Sequence, residues 1–265
     1  MAFLQVELFS HALHMAVTVD VLLPQPTRRE IGINSGSSTG GQYPVLWLLH
    51  GASDDHTTWQ RRTSIERYVA SMGLAVVMPS AHLSSYANMV HGGNFYDYIV
   101  DELPATLRAF FPLSADRKDN YIAGNSMGGY GAMKIGIGNP QSYSAIGCFS
   151  AGANSAASLH ERAQEADPLR RMRNAMVHGD RDASGTIEDT WYIARKNSAL
   201  PELPRIFHSC GTGDFLLEKA RATRDFFLSL EGNPYHYVYE EHEGIHEWNY
   251  WDEHIIDFLQ FIQQK

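Results

Sequence analysis

The sequence predicts an α/β fold: a mostly parallel sheet of about eight strands, helices on both faces and a small cap excursion. Short continuous apolar runs recur along the chain, as strands buried on both faces require. Helix-period segments separate most of them, the order that gives parallel crossovers. The chain has 265 residues, 44% hydrophobic and 11% aromatic, enough for one large unit with a substantial core.

Residues 3–10 alternate, and 13–23 contain Met15-Ala-Val-Thr-Val-Asp-Val-Leu-Leu; together they predict an antiparallel hairpin at a sheet edge. Residues 24–43, with Ser35-Gly-Ser-Ser-Thr-Gly-Gly41, are a surface loop rich in Pro, Arg, Gly and Ser. Tyr43-Pro-Val-Leu-Trp-Leu-Leu-His50 is a buried strand over 43–49, and Gly73–Pro79 another. Between them, Trp59, Ile65, Val69 and Met72 among charged residues predict a helix over 56–72. A loop at 80–94 precedes a helix over 95–111 with a kink or restart at Pro104. A strand at 119–124 and a helix stopped by Asn139-Pro140 follow, then a strand at 143–150. Residues 151–200 are polar and irregular with one helix near 188–197, and read as a cap-like excursion from a single domain spanning 1–265. Strands at 205–211 and 235–240 alternate with helices at 215–231 and 247–263.

The formal net charge of -9, with no Lys/Arg-rich block, argues against nucleic acid or an anionic membrane as partner. The first residues alternate and lack a basic region, as a strand does and a signal peptide does not. No apolar run approaches a membrane span. Cys148 and Cys210 fall in expected core strands, where free thiols are the rule; the expected location is cytoplasmic.

The chemistry centres on Tyr121-Ile-Ala-Gly124-Asn125-Ser126-Met127-Gly128-Gly129-Tyr130-Gly131. This is G-x-S-x-G between a strand and a helix, the setting of a nucleophile elbow. Gly124 and Gly128 flank a turn too tight for a neighbouring Cβ. Ser126 at the helix start meets free N–H groups that favour negative charge. Eight strands, an antiparallel pair first and the serine turn after the fifth, make the α/β-hydrolase plan.

A serine needs a base, and the base needs an acid to fix its tautomer. In this plan they follow the serine as Asp/Glu, then His, at strand ends. Asp214, in Gly211-Thr-Gly213-Asp214 after the strand at 205–211, is the candidate acid; it also suits a helix N-cap. His246 is the candidate base, preferred to His242 because it lies further past its strand, in a Gly-containing turn ahead of a helix. His242 to His246 also spells H-E-x-x-H. A zinc site would need both histidines on one helical face, and Gly244 interrupts them, so no metal is expected. Ala52, after His50-Gly51, and Met127 are the candidate oxyanion N–H donors. Asp180–Glu188 imitates part of a calcium loop, but Trp191 stands where a bidentate Glu is needed. Trp59 and Trp248 are candidate pocket residues.

Leu48-Leu-His-Gly-Ala, Gly124-Asn-Ser-Met-Gly-Gly-Tyr-Gly-Ala, Cys210-Gly-Thr-Gly-Asp-Phe-Leu and Gly244-Ile-His-Glu-Trp-Asn-Tyr-Trp-Asp252 together resemble the esterase D group of α/β hydrolases, nearest its bacterial tributyrin-esterase branch. The resemblance spans about 3–262. It implies a cofactor-independent serine carboxylesterase acting on short-chain acyl esters through an acyl-enzyme, with a small-molecule ester as its partner. Ser126, Asp214 and His246 match the group's triad, and Ala52 and Met127 its oxyanion positions. Asn125 departs from it, since relatives often carry His or Leu there. An acyltransferase on the same site, a deacetylase or feruloyl esterase of carbohydrate esters, and a non-catalytic binding module are the alternatives. The oligomeric state, a homo-oligomer included, stays open.

Overall fold

Apolar strands leave their backbone polar groups to be paired inside the fold. Here they pair into one eight-stranded sheet. In the computed structural model, which describes residues 1–25, 31, 41–164 and 166–264, the strands are β1 (Ala2–Ser10), β2 (Met15–Leu23), β3 (Val45–Leu49), β4 (Ala75–Pro79), β5 (Asn120–Asn125), β6 (Ala145–Phe149), β7 (Arg205–Gly211) and β8 (Val238–His242). Their order is β1-β2-β4-β3-β5-β6-β7-β8. The β1–β2 hairpin runs from Ala2 opposite Leu23 to Ser10 opposite Met15, and β2 joins β4 antiparallel. Every later pairing is parallel. Most of the expected loop at 24–43 lies outside the described residues.

The helices are α1 (Thr58–Arg62), α2 (Ile65–Val69), α3 (Phe95–Asp97), α4 (Leu103–Phe110), α5 (Met127–Gly138), α6 (Ala156–Ala163), α7 (Pro168–His178), α8 (Thr190–Asn197), α9 (Leu217–Leu228) and α10 (Trp248–Gln263). They clothe both sides of the sheet, and β3 shows why its sequence is apolar throughout. Val45, Trp47 and Leu49 enter one core cluster, while Leu46 and Leu48 enter the other. Among the described residues no helix is long and apolar enough to cross a membrane.

Three local expectations shift, and the restart expected at Pro104 takes the form of a π-helical turn. The helix expected over 56–72 breaks at Thr63, which is extended, and the Ser64 N–H turns to the Asp252 carboxylate at 2.8 Å. Ahead of Pro104 a π-helical turn (Tyr98–Glu102) links α3 to α4, so the proline ring falls in the first turn of α4. The last strand starts at Val238, because the Asn233 side chain holds a turn by accepting from the Tyr237 N–H at 2.8 Å. The 151–200 stretch is more helical than expected. Ser155 and Ser158 cap α6 reciprocally, and Asp167 caps α7 with Pro168 at its first position.

The last part of that stretch is tied into the body of the fold. Trp191 of α8 stacks on Phe226 of α9 with ring centroids 4.5 Å apart. Glu188, just ahead of α8, meets Lys134 of α5, which is fully buried, at 3.0 Å. The Lys134 ammonium also donates to the Ser85 carbonyl at 2.9 Å, and the Tyr130 hydroxyl donates to Glu188 at 2.8 Å. Burial works to raise the Glu188 carboxyl, but the Lys134 charge and the Tyr130 hydroxyl outweigh it and hold it below the ordinary glutamate range.

Glu188→Ala strands a buried ammonium and should cost about 3–5 kcal/mol, read from urea midpoints, with Lys134→Met plus Glu188→Gln recovering most of it. Because the folded carboxyl is depressed, the pair contributes fully above the ordinary glutamate value and loses its contribution as pH falls through the folded one. The gap between wild type and Glu188→Ala should therefore narrow in acid.

Candidate active site

Ser126 sits between β5 and α5 with φ 52° and ψ −118°, a backbone conformation that an L residue adopts only under constraint. The constraint is the approach of α5 to the sheet. A Cβ on Gly124 would lie 2.6 Å from the Gly128 carbonyl carbon, and one on Gly128 only 2.3 Å from the Leu49 carbonyl oxygen. With both positions glycine, α5 closes onto the end of β3. The Ser126 N–H then donates to the Phe149 carbonyl at 2.8 Å, and the Ser126 carbonyl accepts from the Tyr130 N–H at 3.1 Å.

Asp214 follows β7 in a tight turn, its N–H donating to the Gly211 carbonyl at 3.0 Å. It is buried and accepts the Leu216 N–H at 2.8 Å. His246 lies between β8 and α10, beyond Gly244 at φ 153°. The two loops are stitched together: the Thr212 N–H donates to the His242 carbonyl and the Gly213 N–H to the Gly244 carbonyl, both at 2.8 Å. His246 Nδ1 then faces both Asp214 oxygens at 3.0 and 2.9 Å, and Nε2 faces Ser126 Oγ at 2.9 Å. A carboxylate on Nδ1 fixes the proton there and leaves Nε2 free to accept. Burial alone would raise the Asp214 carboxyl. Hydrogen bonds from His246, the Leu216 N–H and the Ser150 hydroxyl reverse this and keep it below the usual range. The line can thus take a proton from a serine hydroxyl and hold the imidazolium that results.

Ala52 and Met127 line the same cleft of about 380 Å³ as Ser126. Neither backbone N–H donates to a described residue. What holds the Ala52 loop was not read from the sequence. Buried His50 contacts the Gly51 carbonyl through Nδ1 at 2.7 Å and accepts the Ala81 N–H through Nε2 at 2.8 Å. Burial lowers its pKa to about 4, so it is a neutral strut. The Tyr86 hydroxyl donates to the His50 carbonyl at 2.9 Å. A His-Gly pair ending a buried strand was the available signal.

Trp59 and Trp248 are corrections. Neither borders the cleft. Trp59 is 1% exposed, and its indole N–H donates to the Leu49 carbonyl at 3.0 Å, a bond that needs it inside. Trp59 meets Trp248 edge-on at 5.1 Å, Trp248 meets Trp251 at 5.0 Å, and Trp251 meets the His246 ring at 5.0 Å. The tryptophans brace the histidine rather than line a pocket. His242 ends β8 and stacks on His254 at 4.3 Å, so it shares no helical face with His246. Of the acids in 180–189, Glu188 is committed to Lys134, Asp189 caps α8, and Asp182 accepts the Ser184 N–H.

Gly128→Ala should lose about 1–3 kcal/mol of stability, because the obstacle is backbone and cannot swing aside. His50→Leu leaves the Ala81 N–H unpaired and the Gly51 carbonyl with only the longer bond from the Asp54 N–H at 3.4 Å. It should lower kcat on p-nitrophenyl acetate more than it changes KM, at a stability cost of about 1–3 kcal/mol.

A family model described as putative esterase matches residues 10–262. The chain is 26% identical over 281 aligned residues to an acetyl esterase of Caldicellulosiruptor saccharolyticus, covering 100% of this chain and 99% of that protein. Among solved structures it is similar to the substrate-bound fluorophosphonate-binding serine hydrolase F of Staphylococcus aureus, with TM-score 0.84, 32% identity and 100% and 99% of the two chains covered. It is also similar to an S-formylglutathione hydrolase of Staphylococcus aureus, with TM-score 0.80, 31% identity and 98% of each chain covered. With the match running over nearly its whole length, the chain belongs to the putative esterase family and is a carboxylic ester hydrolase of the α/β-hydrolase fold.

Proposed function

We propose that this enzyme hydrolyses short-chain acyl esters with Ser126 as nucleophile, His246 as base and Asp214 as the acid that orients it. The observation that carries the reading is the continuous line from Ser126 Oγ through His246 to Asp214 at hydrogen-bond distances. Ser126 Oγ attacks the ester carbonyl carbon while His246 Nε2 takes its proton. The oxyanion forms against the N–H groups of Ala52 and Met127. His246 returns the proton to the alcohol oxygen as the carbon–oxygen bond breaks, leaving an acyl-serine. Water, deprotonated by His246, then releases the acid.

The acetyl esterase relative supports a short acyl group, tributyrin and acetylated sugars among the candidates. The 1–265 chain is read as one hydrolase domain, with α6 and α7 as the cap. Arg162, Arg170, Arg173 and Asn174 from that segment line the cleft. Buried, unpaired Cys148 and Cys210 support a cytoplasmic setting.

Ser126→Ala should lower kcat by about 10⁴–10⁶-fold, and Asp214→Asn by about 10⁴-fold, on p-nitrophenyl acetate. A fluorophosphonate probe should label wild type at Ser126, and labelling elsewhere would refute the nucleophile. A panel of p-nitrophenyl acetate to octanoate, tributyrin, acetylated xylose, methyl ferulate and S-formylglutathione should show highest kcat/KM at the short acyl end. Preference for the longest chains would refute the acyl reading.

A further inference from the structure

The chain carries a net charge of -9, yet the cleft over Ser126 is lined by Arg162, Arg170, Arg173 and Lys219 and by no Asp or Glu among its described residues. A solvated cap surface would explain arginines that point outward, as exposed Arg171 does. Arg162 and Arg173 are instead half-buried, and neither makes an ion pair with a described residue. The Arg173 Nε is sealed from solvent and has no hydrogen-bond partner among the described residues. Arg170 is placed 3.9 Å from Asp167, so it is partly compensated. Glu188 touches Tyr130 of the same wall but is committed to Lys134.

Gathering like charges costs free energy, and these groups register it. Arg173 is pushed below the usual arginine value by burial and by the charges of Arg162 and Arg170. Lys219 is pushed well below the usual lysine value by burial and by Arg162. The Lys219 ammonium donates to Asn154 Oδ1 at 2.5 Å, a neutral partner. A fixed fork of guanidinium donors fits a carboxylate or phosphate, and with no ion-pair partner among the described residues Arg162 and Arg173 can take one from the substrate.

We propose that the cleft selects esters bearing an anionic oxyacid group, a carboxylate or a phosphate, held by Arg162 and Arg173 while Ser126 attacks the ester carbonyl. The proposal rests on the esterase reading above and adds to it the chemistry of the preferred substrate. Hydrolysis is unchanged: the anion is an anchor, and no bond to it is made or broken.

Matched ester pairs test it, each pair differing only in whether one acidic group is free or methylated. An acyl-side arm compares p-nitrophenyl hydrogen adipate with its methyl ester. An alcohol-side arm compares p-acetoxybenzoate with its methyl ester, and p-acetoxyphenyl phosphate with its dimethyl ester. With uncatalysed rates subtracted, the anionic member should show higher kcat/KM in at least one arm by about tenfold to hundredfold, the range of a charge-assisted hydrogen bond. The arm that responds identifies the side of the ester that carries the anion, and its best member separates carboxylate from phosphate. Arg162→Gln and Arg173→Gln should each cut the anionic-to-neutral ratio about tenfold, and Arg173→Glu should bring it below one. The ratio does not depend on how much enzyme folds. Added sodium chloride should shrink it. Neutral esters hydrolysed with no anionic preference in either arm would overturn this proposal alone. No hydrolysis of any ester would overturn the esterase reading and this proposal with it.

Discussion

The fold of the site depends on a contact with no side chain in it: Gly128 lies so near the Leu49 and His50 carbonyls that a Cβ there would overlap both. That approach lets α5 begin directly over the end of β3. Because α5 is fixed there, Ser126 must take up its left-handed conformation, and the strain is held by packing on both sides. The surrounding order follows. β3, β5 and β6 must be parallel neighbours for the turn to meet the Phe149 carbonyl and the Gly51–Ala52 loop at one sheet edge.

Around that rigid centre the polar groups divide into two kinds. Those that hold the frame are satisfied within the chain: Glu102 accepts from Ser10 and from the His11 and Ala12 N–H groups, Lys134 meets Glu188, and neutral His50 spans two backbone groups. Several of those facing the cleft are not. The Ala52 and Met127 N–H groups and the Arg173 Nε lack described partners. Buried polar groups without partners are costly, and of those scattered through the described residues the Arg173 Nε belongs to a residue that lines the cleft over Ser126.

Much of this was legible along the chain. Strand ends followed by Gly-containing turns carry chemistry that has few alternative explanations, so Ser126, Asp214 and His246 stand out one at a time. Elements with strong period and clear stops, such as β3 and α10, also declare themselves. The α6–α7 region did not, because its helices are polar and held by caps rather than by an apolar stripe; Asp167-Pro168 was the visible cue. Trp59 and Trp248 misled because a tryptophan near a strand end serves a pocket wall or a brace equally well, and only the tertiary packing, the burial of Trp59 and the edge-on contact of half-buried Trp248 with it, separates the two.

By itself the sequence determined the alternation of strands and helices, the elbow with its two glycines, and the order serine, aspartate, histidine. These are local matters of side-chain size, period and turn chemistry. The tertiary structure decided what depends on distance between remote segments. It joined His246 to Ser126 across 120 residues, set His242 against His254, and packed Trp59, Trp248 and Trp251 edge-on in a row that ends at the His246 ring. It also gathered arginines from α6 and α7 into the cleft that Ser126 lines, in an otherwise acidic protein. Charge along a chain says little about charge in a cleft, because folding chooses which residues share a low-dielectric space.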